Sequence, residues 1–298
     1  MRQQDWYGVF PAITTPFHDD LSVDHEFLCE HVGWLIDSGS RGIVALGSLG
    51  EAATLTFDEK VKVLQTCCAA AGSRVPVIAG ISALSTSEAV ALAKEAERVG
   101  CDGLMVLPPY VYQGDWRETE AHVEAVLSAT SLSCMLYNNP IAYGTDFKPE
   151  QVQELTRFKN LHAVKESSGD VRRVTAIRAL VGNRLSIFVG LDDCIVEGIA
   201  AGAVGWIAGL VNALPEASIR LFDLAVAGRA DAARALYQWF LPLLRLDTKP
   251  KFVQYIKLAQ QEVGKGSATV RPPRLALCGA ELDNTLALIR EQLQTQPS

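Results

Sequence analysis

Lys165 closes a short apolar run, His162-Ala163-Val164, and is followed at once by a polar loop, Glu166-Ser167-Ser168-Gly169-Asp170. A lysine whose stem is held among apolar side chains loses part of its hydration, and desolvation favours the neutral amine that attacks carbonyls. The chemistry on offer is a Schiff base with a carbonyl substrate. A strand-end lysine also has ordinary uses, reaching out to water or pairing with Glu166, so the other strand ends must decide. Tyr137 closes the preceding β-rich run, in Met135-Leu136-Tyr137-Asn138-Asn139-Pro140. On an adjacent strand its phenol would stand within reach of the amine and could move protons to and from an adduct. Taken alone it is equally a packed aromatic. Gly47-Ser48-Leu49-Gly50-Glu51 ends another run; its glycines let backbone amides approach a carboxylate, and the Ser48 hydroxyl could extend a proton path from Tyr137. The same residues also suit a plain tight turn. Asp192 and Asp193, after Val189-Gly190-Leu191, serve either to cap a helix or to bind a substrate's hydroxyls or amine.

These residues share a place: each ends a short β-rich run. Eight such runs occur, at 8–14, 42–48, 75–81, 103–108, 133–138, 161–165, 185–190 and 205–209. Between them apolar residues recur at helical spacing, as in 57–71 and 87–99, with Gly72 and Gly100 as stops and Thr56-Phe57-Asp58-Glu59 as a capped start. Strand and helix in alternation predict parallel strands, and eight units predict a closed (β/α)8 barrel, the TIM-barrel form of the α/β class, with catalytic groups at the C-terminal strand ends. A doubly wound open sheet is the competitor, but no GxGxxG fingerprint is present. The expected organisation is a catalytic barrel over 1–228 and a helical extension over 229–298, with helices near 214–227, 230–244, 251–263 and 281–293, broken by Arg271-Pro272-Pro273-Arg274.

Composition narrows the function. The formal charge is -7 and the Lys and Arg residues are scattered, so nucleic acid is not an expected partner and a small molecule is. No apolar stretch approaches the roughly 20 residues of a membrane helix, and the start carries no secretory signal pattern. Seven cysteines without CxxC spacing read as reduced core residues of a cytoplasmic protein. The five histidines lack metal-ligand spacing, no serine lies in GxSxG, and no metal is expected.

In order and spacing, Gly47-Ser48-Leu49-Gly50-Glu51, Tyr137-Asn138-Asn139-Pro140, Val164-Lys165-Glu166-Ser167-Ser168-Gly169-Asp170 and Gly202-Ala203-Val204-Gly205-Trp206 resemble the dihydrodipicolinate synthase and N-acetylneuraminate lyase superfamily, from about residue 8 to 212. The resemblance implies a lyase with Lys165 as Schiff-base lysine, Tyr137 as acid/base phenol and Ser48 in place of the relay threonine. It implies further that the backbone at Ser48, Leu49 and Ile207 holds the substrate carboxylate; Gly190 and the loop aspartates Asp192 and Asp193 are counted with them as substrate-binding candidates. Tyr110 matches a tyrosine lent to a neighbouring subunit, with Tyr112 as the other residue able to project, and a homotetramer of tight dimers follows from that match. No metal or organic cofactor is implied.

Two departures bear on the branch. Synthases of the family carry an arginine shortly after the Tyr-Asn-x-Pro segment, and Ile141-Ala142-Tyr143-Gly144-Thr145-Asp146 has none; their Thr-Thr pair is replaced by Ser48-Leu49. Tyr143 and Asp146, Gly190-Leu191-Asp192-Asp193, Trp239-Phe240-Leu241-Pro242-Leu243-Leu244 and Arg271-Pro272-Pro273-Arg274-Leu275-Ala276-Leu277 look like the 1-pyrroline-4-hydroxy-2-carboxylate deaminases of bacterial hydroxyproline breakdown. Dehydration and deamination of that pyrroline carboxylate is therefore the expected reaction. Dihydrodipicolinate synthesis, N-acetylneuraminate cleavage and sugar-acid aldol or dehydratase chemistry are the alternatives within the superfamily, and a catalytically silent metabolite-binding barrel is the alternative outside it.

Overall fold

Strand pairing in the computed structural model, which describes residues 1–109 and 111–297, follows the chain. The first half runs β1 Gly8–Pro11, α1 His25–Asp37, β2 Ile43–Ala45, α2 Phe57–Ala71, β3 Val77–Ile81, α3 Thr86–Arg98, β4 Gly103–Val106 and α4 Trp116–Ser128. The second runs β5 Ser133–Asn138, the single turn α5 Pro140–Tyr143, α6 Pro149–Leu155, β6 Leu161–Glu166, α7 Arg172–Val181, β7 Ser186–Val189, α8 Ile195–Ala200, β8 Gly205–Ala208 and α9 Pro215–Val226. All strand pairs are parallel, in the order β1-β8-β7-β6-β5-β4-β3-β2. A parallel bridge between Ala12 and Val44 and the Ile13 N to Val44 O hydrogen bond (2.9 Å) draw the two edges together into a barrel. This is the expected eight-stranded α/β architecture, and it explains the composition of the strands: covered by helices outside and packed inside, they are apolar on both faces.

The expected elements hold with shifted ends. The α2 capping box forms as read, Thr56 Oγ1 accepting from Glu59 N and Thr56 N donating to Glu59 Oε2, and Gly72 stops the helix at φ 56°. Ser85 caps α3, its hydroxyl accepting from Glu88 N. The strand expected over 42–48 keeps three residues, because the backbone leaves the ladder at Leu46, which adopts a left-handed φ of 61°. What was read as the end of a strand is thus a loop over the barrel mouth.

After α9, which packs on β1 and closes the ring, come α10 Ala230–Leu244, α11 Phe252–Glu262 and α12 Gly279–Gln294. Leu236, Phe240, Leu243 and Ile256 belong to the same apolar cluster as the barrel strands, so one core continues across residue 228. Among the described residues no helix is long and apolar enough to cross a membrane. One expectation needs correction: of the seven cysteines only Cys67, Cys101 and Cys134 are buried, Cys68 and Cys194 are half-buried, and Cys29 on α1 and Cys278 just before the last helix are exposed. Apolar neighbours in sequence do not decide which face of a helix a cysteine occupies.

Candidate active site

Tyr137 and Lys165 are register partners on β5 and β6, so the parallel ladder itself sets them side by side. Lys165 Nζ stands 4.1 Å from the centre of the Tyr137 ring, and both residues are buried. The pairing with Glu166 left open by the sequence does not form. Side chains alternate across a strand, and Glu166 points the other way, accepting from Asn138 Nδ2 (3.0 Å) and Ser168 N (2.7 Å). Burial pushes the Glu166 carboxyl up.

Lys165 opens into a cavity of about 430 Å³ at the C-terminal end of the strands, lined also by Ser48, Leu49, Tyr137, Gly190 and Ile207. Gly190 is a glycine for a reason: a Cβ there would stand 2.6 Å from Lys165 Cε and 1.9 Å from Ser167 Oγ. The amides of Ser48 and Leu49 donate to no protein acceptor among the described residues, although their loop lines the cavity. Their loop carries two left-handed non-glycine residues, Leu46 and Glu51, each costing about 1–2 kcal/mol. Thr15 Oγ1 to Gly50 O (2.6 Å) and a buried ion pair, Lys257 Nζ to Glu51 Oε1 (2.6 Å), hold it in that shape.

Ser48 and Tyr137 have separate hydroxyl partners. The Ser48 hydroxyl bonds the Tyr143 hydroxyl, and the Tyr137 hydroxyl accepts from Asn139 Nδ2 (2.9 Å). Tyr143 packs edge-on against Tyr137 with ring centres 5.8 Å apart. Tyr110 lies outside the described residues. Tyr112 is exposed and its hydroxyl donates to Glu118, away from this cavity.

The two aspartates part company with the rest. Asp192 is fully buried behind the cavity wall, where its carboxylate accepts from Trp206 Nε1 (3.0 Å), Gly209 N (3.1 Å) and Leu210 N (2.8 Å). Burial pushes it up to about 6 against the pull of those donors. It pins the turn after β8 and gives Trp206 its purpose. Asp193 faces Arg245 at 3.8 Å, and its carbonyl accepts from the Tyr237 hydroxyl. The carboxyl that does line the cavity is Asp247, from the loop between α10 and α11, together with Thr248, Lys249, Pro250 and Phe252. Nothing in the spacing of Leu246-Asp247-Thr248-Lys249-Pro250 marks it as more than a polar link between helices.

A barrel with a lysine and a tyrosine paired at the C-terminal ends of adjacent strands, beneath a loop of free amides, has the layout of an amine-dependent lyase. Residues 5–292 match the Dihydrodipicolinate synthetase family, and the chain belongs to it, as a class I Schiff-base lyase. It is 34% identical over 288 residues, 95% of this chain and 98% of the relative, to the 4-hydroxy-tetrahydrodipicolinate synthase of Geotalea uraniireducens (strain Rf4). Among solved structures it resembles the dihydrodipicolinate synthase from Acinetobacter baumannii complexed with pyruvate (29% identity, TM-score 0.90, 96% of this chain and 98% of that one). It also resembles YagE from E. coli K12 in complex with pyruvate (25% identity, TM-score 0.91, 97% and 99%).

Proposed function

We propose that Lys165 forms a Schiff base with a 2-oxo acid or its cyclic imine equivalent, and that the reaction is dehydration and deamination of 1-pyrroline-4-hydroxy-2-carboxylate. The observation that carries the first part is the Lys165 amine 4.1 Å over the Tyr137 ring, at the floor of a cavity whose rim amides suit one carboxylate. In this reading Lys165 attacks C2 and opens the ring. Tyr137 moves the C3 proton while the C4 hydroxyl departs, and water then releases ammonia and the oxo acid semialdehyde. Leu49 and Ile207 present backbone to the carboxylate, and Ser48 and Tyr143 extend the polar path.

The substrate assignment rests on the cavity wall. Where an arginine would meet a second carboxylate stand Ile141 and Ala142, and the nearby Arg173 is bound to Asp146 by two 2.7 Å contacts. A second reading, 4-hydroxy-tetrahydrodipicolinate synthesis, is favoured by the names of the relatives at about a third identity and by Lys249, a cation on the cavity lining. Assay of the purified protein with hydroxypyrroline carboxylate, N-acetylneuraminate, sugar-derived oxo acids, and pyruvate plus aspartate semialdehyde decides between them. Ammonia release from the first supports the proposal, and efficient condensation of the last pair overturns it. A homotetramer built of tight dimers belongs to the same reading, supported by Val111 and Tyr112, which leave apolar surface exposed; sedimentation analysis tests it.

A further inference from the structure

Asp247 has no part in the chemistry so far, yet it is built into the cavity. Its carboxyl lies against Gly209, where a Cβ would stand 2.0 Å from Oδ1, so that glycine is what makes room for it. Neither of its oxygens has a hydrogen-bond donor or a close ion pair among the described residues, although it is half-buried and shares the cavity with Lys165, whose charge it feels only at longer range. On the other side of Gly209 stands Asp192, which accepts the Gly209 amide together with Leu210 N and Trp206 Nε1. Two carboxyls against one residue, one fully buried and the other half-buried, disfavour double ionisation. The one addressed by three N–H donors carries the charge, and the one with none keeps its proton. Burial, and next to it the Asp192 charge, hold Asp247 well above the usual carboxylate range, with Lys165 pulling the other way.

We infer that Asp247 is a catalytic acid that hands its proton to the hydroxyl leaving C4 of the Lys165-bound substrate, an inference that rests on the dehydration proposed above. In the enamine on Lys165 the nitrogen lone pair pushes through C2=C3. The C4–O bond breaks with its electron pair passing to oxygen, and that oxygen takes the Asp247 proton and leaves as water. Asp247, now a carboxylate, recovers a proton from solvent, so atoms and charge balance without any other reactant. The step answers a need: hydroxide is a poor leaving group, and Tyr137 is already committed at C3.

The test compares Asp247→Asn with the unsubstituted protein on two substrates, the hydroxypyrroline carboxylate and its 4-chloro counterpart, whose chloride leaves without a proton. Trapping of pyruvate on Lys165 by borohydride, read by mass spectrometry, shows that the variant keeps its fold and its nucleophile. Asp247→Asn should slow the hydroxyl substrate by about 10²- to 10⁴-fold, the span of a positioned acid, while leaving the chloro substrate within about threefold of the unsubstituted rate. The alkaline limb of the pH profile should vanish with the carboxyl. Equal loss on both substrates, or loss on neither, overturns the inference. An unsubstituted protein that traps pyruvate but does not consume the hydroxypyrroline overturns the substrate reading and this inference with it, whereas absence of any pyruvate adduct overturns the Schiff base itself.

Discussion

Among the described residues two amines line the cavity, Lys165 on β6 and Lys249 on the loop before α11; both lie over a tyrosine ring, at 4.1 and 5.2 Å, but only the first is buried. Reduction of the pyruvate adduct followed by peptide mapping should place the label on Lys165. Lys165→Ala should lose both label and turnover while its fold survives, since a side chain opening into a cavity has little packing to lose. A label on Lys249 would move the nucleophile to the extension. Tyr137→Phe should lower kcat by about 10²- to 10⁴-fold with a smaller effect on affinity, and Ser48→Ala should cost less. Near-native turnover of Tyr137→Phe would assign the proton transfer elsewhere, with Tyr143, edge-on against it and bonded to Ser48, next in line.

At the scale of elements, the loop after β2 is held in a left-handed shape by a partner from α11, more than two hundred residues on. Glu51 also accepts Arg271 N (3.0 Å), while the Arg271 guanidinium grips Glu59 and the Leu21 carbonyl. Removing Lys257 leaves Glu51 Oε1 without its cation, with Arg274 at 3.7 Å and Arg271 N still on Oε2, so Lys257→Met should cost about 3 kcal/mol of unfolding free energy and raise KM for pyruvate as the Ser48 and Leu49 amides drift. Unchanged denaturation and KM would show that the loop holds its own shape. A second tie joins α1 to the β8 turn: His31 Nε2 meets Asn212 Oδ1 at 3.0 Å, and Asn212 Nδ2 donates to Ala12 O and Gly209 O. Burial pushes His31 down to about 4. Because its ordinary value is 6.5, the unfolded chain binds a proton between pH 6.5 and 4 that the folded one refuses, so this contribution is lost as pH falls. It amounts to about 3 kcal/mol over that window. The stability advantage of the unsubstituted protein over His31→Gln should shrink accordingly between pH 7 and 4.5, and a difference constant across that range would refute the account.

At the scale of the whole molecule, the barrel mouth is completed by residues 247–252, so the extension is part of the catalytic cavity as well as of the core. A second substrate carboxylate, buried without a partner, costs several kcal/mol, and the wall formed by Ile141 and Ala142 supplies none. Negligible dihydrodipicolinate synthase activity is the expected result, alongside ammonia release from the hydroxypyrroline. If condensation proves efficient instead, Lys249 is the cation responsible, and Lys249→Ala should raise KM for aspartate semialdehyde far more than for pyruvate.

What the sequence determined by itself was whatever depends on local pattern. Eight apolar runs separated by helical periodicity specify a parallel barrel, and a barrel puts its strand ends on one face, so Lys165, Tyr137 and Ser48 could be placed at one mouth from pattern, with Ile207 added only by the family resemblance. What only the tertiary structure decided was how groups distant in sequence divide the same space. Asp192 follows β7 and looks like a substrate ligand, but three N–H donors from the β8 strand and turn consume it; Asp247 looks like an inter-helix link, but the missing Cβ of Gly209 admits it to the cavity. Linear spacing reports periodicity and turns, which are set by near neighbours. It carries no record of which carboxyl receives hydrogen bonds from a strand not yet beside it, and that assignment separates a structural carboxylate from one placed to do chemistry.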